Sequence, residues 1–127
     1  MKIFEHTQVR NMKLRNRMYM APMGTATEPD GSFSDRAIRY YEERAKGGFG
    51  LIITSANQVS TKYEAKAANI LGTPRSFEQM NFLVRRVRNQ GTRICIQLTP
   101  GLGRMQFSTG DVRPYSSSEN TSFWFPD

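Results

Sequence analysis

Apolar positions along the chain follow two different periods, and the alternation between them sets out the elements. From Ser34 to Lys46, "SDRAIRYYEERAK", Ile38, Tyr41 and Ala45 recur at spacings of three and four, while Arg39, Glu42, Glu43 and Lys46 fall largely elsewhere. This spacing predicts an amphipathic helix. Ser34 or Ser32 caps its start, the latter with Asp35 three residues on, and Gly47-Gly48 ends it. In "TPRSFEQMNFLVRRVRNQG", Phe77, Met80, Leu83, Val84 and Val87 form one stripe of a second helix. Ser76 with Gln79 three residues later has a capping-box pattern, and Gly91 closes the segment.

Between and around these helices lie short apolar runs. Arg17 to Met23, "GLIITSA" and "RICIQL" (Arg93 to Leu98) are too short for helices, and the last two are rich in β-branched residues, so they predict buried strands. Ile3 to Leu14 contains two short alternating segments around "RNMK", which predicts a small hairpin ahead of the main body. "TEPDGS" is a loop by its proline and Asp-Gly pair. "NQVSTKYEAKAANILG" is polar and has no clean period, so it is expected to be a long loop with room for a short helical turn. Thr99 to Asp127 is glycine-, serine- and aromatic-rich without a period.

The order strand, helix, strand, helix, strand, with a glycine before each new strand, calls for a parallel sheet with right-handed crossovers. Two α/β architectures satisfy it, a doubly wound sheet and part of a (β/α)₈ barrel. The first strand has no G-x-G-x-x-G at its exit, and "PGLGR" after the third lacks the final glycine of that fingerprint. A dinucleotide-binding site of the Rossmann type therefore has little support.

Composition narrows the function classes. The 127 residues, 38% hydrophobic with mixed charge, suit one small globular domain. No window approaches the roughly 20 apolar residues of a membrane span, and "MKIFEHTQVR" lacks a signal-peptide core, so no membrane partner and a cytoplasmic location are expected. The single cysteine, Cys95, lies between two isoleucines and is expected to be a buried core residue. It cannot form an internal disulfide. The net charge of +7 raises the question of a nucleic-acid partner. Its cations are dispersed over Lys13, Arg15 and Arg17, then Arg36, Arg39, Arg44 and Lys46, then Arg85, Arg86 and Arg88, as on solvated helix faces, and no nucleic-acid fold signature accompanies them. A basic nucleic-acid-binding domain is therefore a minor alternative.

In parallel α/β folds ligands bind at the carboxyl ends of the strands. Three such ends are legible: Pro22-Met23-Gly24-Thr25, Ser55-Ala56-Asn57 and Gln97-Leu98-Thr99. The Gln97 amide has both donor and acceptor groups and matches a heterocycle edge with C=O beside N–H, as in flavins and pyrimidines. Proline and glycine at the first end let a flat ring approach the main chain, and Ala56 leaves room beside it.

"LRNRMYMAPMGT", "DGSFSDRAIRYYEERAKGGFGLIITSA" and "RICIQLTPGLGR" resemble, in order and spacing, the beginning of the old yellow enzyme family of FMN-dependent NADH:flavin oxidoreductases. Within it they resemble the 2,4-dienoyl-CoA reductase and 2-enoate reductase branch. The likeness runs from about Ile3 to Arg104 and more loosely through "RPYSSS" and "SFWFP".

This resemblance implies the N-terminal portion of a TIM (β/α)₈ barrel. Residues 1–15 would form a hairpin closing the barrel bottom, residues 16–104 about three βα units, and residues 105–127 the loop after the third strand. It implies FMN as cofactor and NADH or NADPH as electron donor. The activity implied is hydride transfer from reduced flavin to an activated C=C bond of an enoate, enoyl thioester or steroid-like enone. By motif matching, Pro22, Met23 and Gly24 would line the flavin through their main chain, Ala56 would lie beside the ring, and Gln97 would bond the pyrimidine edge. Thr25 would either tune the flavin by hydrogen bonding or serve structure, and Arg104 would hold substrate or brace its loop.

Relatives with a Q-L-x-H-x-G-R pattern carry a histidine in the loop after the third strand. Here "QLTPGLGR" is one residue longer and has none, so no histidine contact with substrate is expected there. The sole histidine, His6, belongs to the hairpin and is expected at the surface.

A (β/α)₈ barrel takes about 250 residues. The expectation is therefore that these residues begin a longer polypeptide, or that the remaining strands come from another chain. The proton donor and substrate-orienting groups would lie beyond Asp127, and the isolated piece would bind FMN weakly or not at all and be inactive. No metal site is expected, since an iron-sulfur cluster needs several cysteines. The competing non-enzymatic view is a truncated barrel acting as an assembly module.

Overall fold

A computed structural model describes residues 1–59, 69–99 and 117–118. A 3₁₀ turn over Lys2–Phe4 leads into an antiparallel hairpin of β1 (Thr7–Val9) and β2 (Met12–Leu14), with Arg10 at φ +49° in its turn. Four parallel strands follow: β3 (Tyr19–Met20), β4 (Leu51–Gln58), β5 (Asn69–Ile70) and β6 (Arg93–Thr99). β4 is central. β6 pairs along it from Leu51↔Arg93 to Gln58↔Thr99, so β3, paired at Leu51 and Ile52, and β5, paired at Asn57 and Gln58, share its other edge.

The crossovers are helices α1 (Asp35–Lys46), between β3 and β4, and α2 (Pro74–Asn89), between β5 and β6. Ser34 caps α1, its hydroxyl accepting from the Ala37 N–H at 3.2 Å. The alternative cap, Ser32, instead donates to Asp30 through its backbone and its hydroxyl. These bonds hold the Asp30 carboxyl below the usual carboxylate range. The stability this turn contributes is present above that range and is lost as pH falls through the lowered value.

Ile38, Tyr41 and Ala45 of α1 and Leu83 and Val87 of α2 close over Met20 and Ile52 with Phe33 to form the core. Burying each of the larger side chains stabilises by about 1.5–3 kcal/mol. Phe33 meets Tyr41 edge-on at 6.1 Å. The helices are also linked by Arg86, whose Nη1 donates to both carboxylate oxygens of Glu42 at 2.9 and 3.1 Å. The Glu42 side chain is only 9% exposed, so this partner offsets the cost of burying its charge.

Several sequence expectations change. The first strand was expected over Arg17 to Met23, but only Tyr19 and Met20 enter the ladder. Asn16 Oδ1 takes the Met18 N–H at 3.1 Å on one side, and Pro22 has no N–H to give on the other. α2 starts earlier than the Ser76–Gln79 pattern implies. Thr73 is its cap, exchanging hydrogen bonds with Ser76 at 3.0 and 3.1 Å, and Pro74 opens the helix.

Phe77 is 70% exposed because the inward face of α2 runs through Ser76, Met80, Leu83 and Val87, about a hundred degrees round the helix from it. The segment expected as a loop contributes Asn57 and Gln58 to β4 and Asn69–Ile70 as β5; residues 60–68 lie outside the described residues. β6 was expected to be buried, with Cys95 in the core. Its residues are half-buried or exposed, Cys95 among the former, because β4 is its only neighbouring strand among the described residues.

The lower ends of these elements converge on Arg15. Its guanidinium donates to Ala45 O of α1 at 2.7 Å and to Gln90 O at the end of α2 at 2.8 Å. It also bonds Phe49 O through two nitrogens at 3.0 and 3.1 Å, and Thr92 Oγ1 at 2.8 Å. Thr92 Oγ1 in turn donates to Phe49 O at 2.7 Å. Asn16 Nδ2 adds a bond to Gly48 O at 2.7 Å, and a Cβ on Gly50 would lie 2.7 Å from Asn16 Oδ1.

Among the described residues no helix is long and apolar enough to cross a membrane. Arg15→Lys retains the charge but cannot reproduce a fork that reaches two helix ends at once. Chemical denaturation of this variant is expected to show a loss of about 3 kcal/mol, since three part-buried carbonyls lose a charged donor.

Candidate functional site

Because β3, β4 and β6 are parallel, their carboxyl ends open on one side of the sheet. After Met20 the chain leaves the ladder, and Ala21 to Gly24 are exposed, Met23 by 58%. A Cβ built on Gly24 would meet nothing within 4 Å, so the main chain there faces open space. Ala56 is half-buried and is the Cα partner of Gln97 across the β4–β6 ladder. Gln97 is held by its backbone: its N–H donates to Thr54 Oγ1 at 3.3 Å and its carbonyl accepts from Asn57 Nδ2 at 3.1 Å. Its side chain is left exposed.

Beneath this rim lies a network of polar side chains where a core would ordinarily be apolar. The Tyr41 hydroxyl accepts from the Ser55 N–H at 2.7 Å and donates to Met23 O at 3.5 Å, tying the ends of β3 and β4 to α1. Ser55 Oγ accepts from Asn69 Nδ2 at 2.6 Å and lies 3.3 Å from Thr25 Oγ1. Thr54 Oγ1 donates to Ser55 O at 2.9 Å, and Asn57 Nδ2 reaches Thr54 Oγ1 at 3.0 Å and Ser55 O at 2.7 Å.

These bonds occupy the stretch where the β4–β6 register shifts, between Ile53 and Ala56. Side chains there supply partners that the interrupted ladder does not, and such irregularities gather beside binding sites. Two buried acceptors, Asn57 Oδ1 and Asn69 Oδ1, have no partner among the described residues. Unsatisfied buried groups cost about 1–3 kcal/mol each, so their concentration here sets this end of the sheet apart from the rest of the fold.

The network contains no ionisable carboxylate, amine or imidazole. It is suited to presenting hydrogen-bonding groups and bare main chain to a flat polar ring. Among the described residues no group of three or more His, Cys, Asp or Glu could hold a metal ion.

The structure thus brings Pro22, Met23, Gly24, Ala56 and Gln97 to one end of the sheet. Thr25 joins the network below through Ser55. Arg104 lies outside the described residues. His6 lines an open cleft with Arg15 and Thr92, at the end where the strands begin. Sequence reasoning placed Ser55 and Asn57 at a strand end without giving them a role, and did not assign Tyr41 or Asn69 to the site. For Tyr41 a signal existed, since a tyrosine on a buried helical stripe needs a partner for its hydroxyl. For Asn69 there was none, because β5 carries no pattern of its own.

The family model described as NADH:flavin oxidoreductase / NADH oxidase family matches residues 2–123. The chain is 34% identical over 111 residues to a cinnamate reductase from Clostridium sporogenes, covering 81% of this chain and 16% of that protein. It is 30% identical over 113 residues to an NADPH dehydrogenase from Clostridium acetobutylicum, covering 87% of this chain and 33% of that one. The structure superimposes on the old yellow enzyme from Pichia sp. AKU4542 with a TM-score of 0.73 at 28% identity, over 82% of this chain and 27% of that chain. The chain therefore spans a third or less of the length of these relatives. The likeness decides between the two architectures: the fold is the opening portion of a TIM barrel and not a doubly wound sheet.

Replacing Tyr41 by Phe keeps the packing but removes the only described partner of the Ser55 N–H. Urea denaturation of this variant is expected to show a loss of about 1–3 kcal/mol, the cost of stranding a buried donor. An unchanged midpoint would mean that the hydroxyl does not brace the strand ends.

Proposed function

Because the chain belongs to the NADH:flavin oxidoreductase / NADH oxidase family, we propose that it forms the first wall of the FMN site of an NAD(P)H-dependent ene-reductase. The observation that carries this is the alignment of three strand ends, with exposed main chain at Pro22, Met23 and Gly24 beside Ala56 and the outward Gln97 amide. These groups fit the cofactor: open backbone and a small side chain admit a flat ring, and an outward amide complements its pyrimidine edge. When bound, FMN supplies two-electron chemistry, taking hydride from NADH or NADPH and delivering it to an activated C=C bond.

The chain's own residues bind and orient. Pro22 to Gly24 offer main-chain contacts, Gln97 donates and accepts at the ring edge, and Asn57 and Thr54 fix the Gln97 backbone. Thr25, drawn toward Ser55, steadies the first strand end or tunes the ring by a hydrogen bond. Arg104 would hold substrate or brace its loop. The network is uncharged, so its part would be to hold the strand ends, with the proton that completes alkene reduction supplied from outside it.

An unsaturated acid, thioester or ketone is the proposed substrate class, and the likeness to a protein named cinnamate reductase supports the acid. The cytoplasm is the proposed location. The other barrel strands would be supplied by the rest of a longer chain or by another chain, since β3 and β6 have open outer edges among the described residues.

The test is the visible spectrum of the protein purified with its complete barrel. Flavin bands near one per chain are expected, with Gln97→Ala weakening FMN binding by about tenfold, the value of one ligand hydrogen bond. A complete barrel that purifies without flavin and takes up no added FMN would overturn the assignment.

A further inference from the structure

At the opposite end of the strands from the proposed flavin site, the hairpin and the end of α2 border an open cleft of about 360 Å³. Its lining includes Lys13, Arg15, Arg88, Arg93 and His6, and no acidic residue. We infer that this cleft binds a small multivalent oxyanion of the phosphate class, with room for a diphosphate group.

The charge count carries the inference. Helix carboxyl ends attract cations, and Arg15 answers that demand: its donors go to Ala45 O, Gln90 O and Phe49 O. Three further cations are then in excess. Arg93 is oriented through Nε, which donates to Lys13 O at 3.3 Å, leaving its two terminal nitrogens for another acceptor. Neither Lys13 nor Arg88 has an acidic partner among the described residues.

Four cations elsewhere among the described residues have acidic partners. Arg17 meets Glu5, Lys46 meets Glu43, Arg75 meets Asp30 and Arg86 meets Glu42. Converging like charges in a concave site with no counter-charge repel one another and raise the local concentration of anions. Guanidinium forks and a lysine ammonium are the groups that match phosphate oxygens. Gly91, at φ +74° on the cleft wall, adds no side chain that would screen them.

The experiment titrates the protein with inorganic pyrophosphate by calorimetry, against sodium chloride at equal ionic strength. ADP serves as a second titrant to separate a free anion from a nucleotide. The readout is heat of binding, which does not depend on whether flavin is present. Saturable one-to-one binding of pyrophosphate is expected, absent with chloride. Equal affinity for ADP would assign recognition to the diphosphate alone, and tighter ADP binding would assign it to a nucleotide.

Lys13→Gln and Arg88→Gln should each weaken binding about fivefold or more, while Arg36→Gln, a distant exposed cation on α1, leaves it unchanged. Both variants alter cations without ion-pair partners, so folding is expected to survive, and circular dichroism checks this. Heats that match chloride, or equal affinity in Lys13→Gln, Arg88→Gln and the unaltered protein, would overturn the inference.

Discussion

The fold depends on one part-buried interaction between a cation and carbonyl oxygens. An α/β unit ends each helix with carbonyls that have no partner inside the helix, and the tight turn into the next strand leaves them little access to water. Arg15 resolves this for two crossovers together, bonding Ala45 O of α1, Gln90 O beyond α2 and Phe49 O before β4. A planar guanidinium is suited to the task because its donors diverge in one plane. Thr92 and Asn16 complete the layer, and Gly50 is required because Asn16 occupies the space where a Cβ would project. Since the turns fix where β4 and β6 begin, they also fix where those strands end, which is where the proposed site lies.

The two ends of the sheet handle polarity differently. At the lower end, charge is spent on satisfying backbone. At the upper end, neutral hydroxyls and amides do that work, leaving backbone at Gly24 and the Gln97 side chain outward. A charged group among Thr54, Ser55 and Asn57 would need a buried counter-charge to be tolerated. The neutral network instead holds the strand ends without placing a net charge against the proposed flavin ring.

The periodic elements were legible in the sequence because burial wrote them there. Ile38, Tyr41 and Ala45 mark the inward face of α1, and Leu83 and Val87 mark that of α2, since each packs into the buried cluster. The strand-end positions Pro22, Met23, Gly24, Ala56 and Gln97 followed from the rule that parallel sheets bind at their carboxyl ends, sharpened by family resemblance. What escaped has no period. β5 is two residues long and is held by other segments: Ile70 N–H donates to Gly31 O at 2.8 Å, and Leu71 N–H to Gln58 O at 3.1 Å. Thr73 was passed over as a cap because Ser76 fits the same chemistry three residues later, and only the backbone path distinguishes them. Phe77 was placed in the stripe by hydrophobicity, although its angle around the helix points it outward.

The strand that escaped also shows how the upper rim is kept in place. β5 sits on the same edge of β4 as β3 but further along, so it continues that edge beyond the point where β3 leaves the ladder. Gly31 makes the junction possible: its φ is +79°, and an added Cβ would come within 2.6 Å of Ile70 Cγ1. The loop from β3 to α1 is therefore bonded to β5, β5 to β4 and Asn69 to Ser55. The exposed main chain at Met23 and Gly24 is thus framed by the Tyr41 hydroxyl on one side and the Gly31–Ile70 junction on the other. The proposed flavin platform must itself resist displacement, and two anchors from different elements restrain this turn where the two-residue ladder of β3 alone would not.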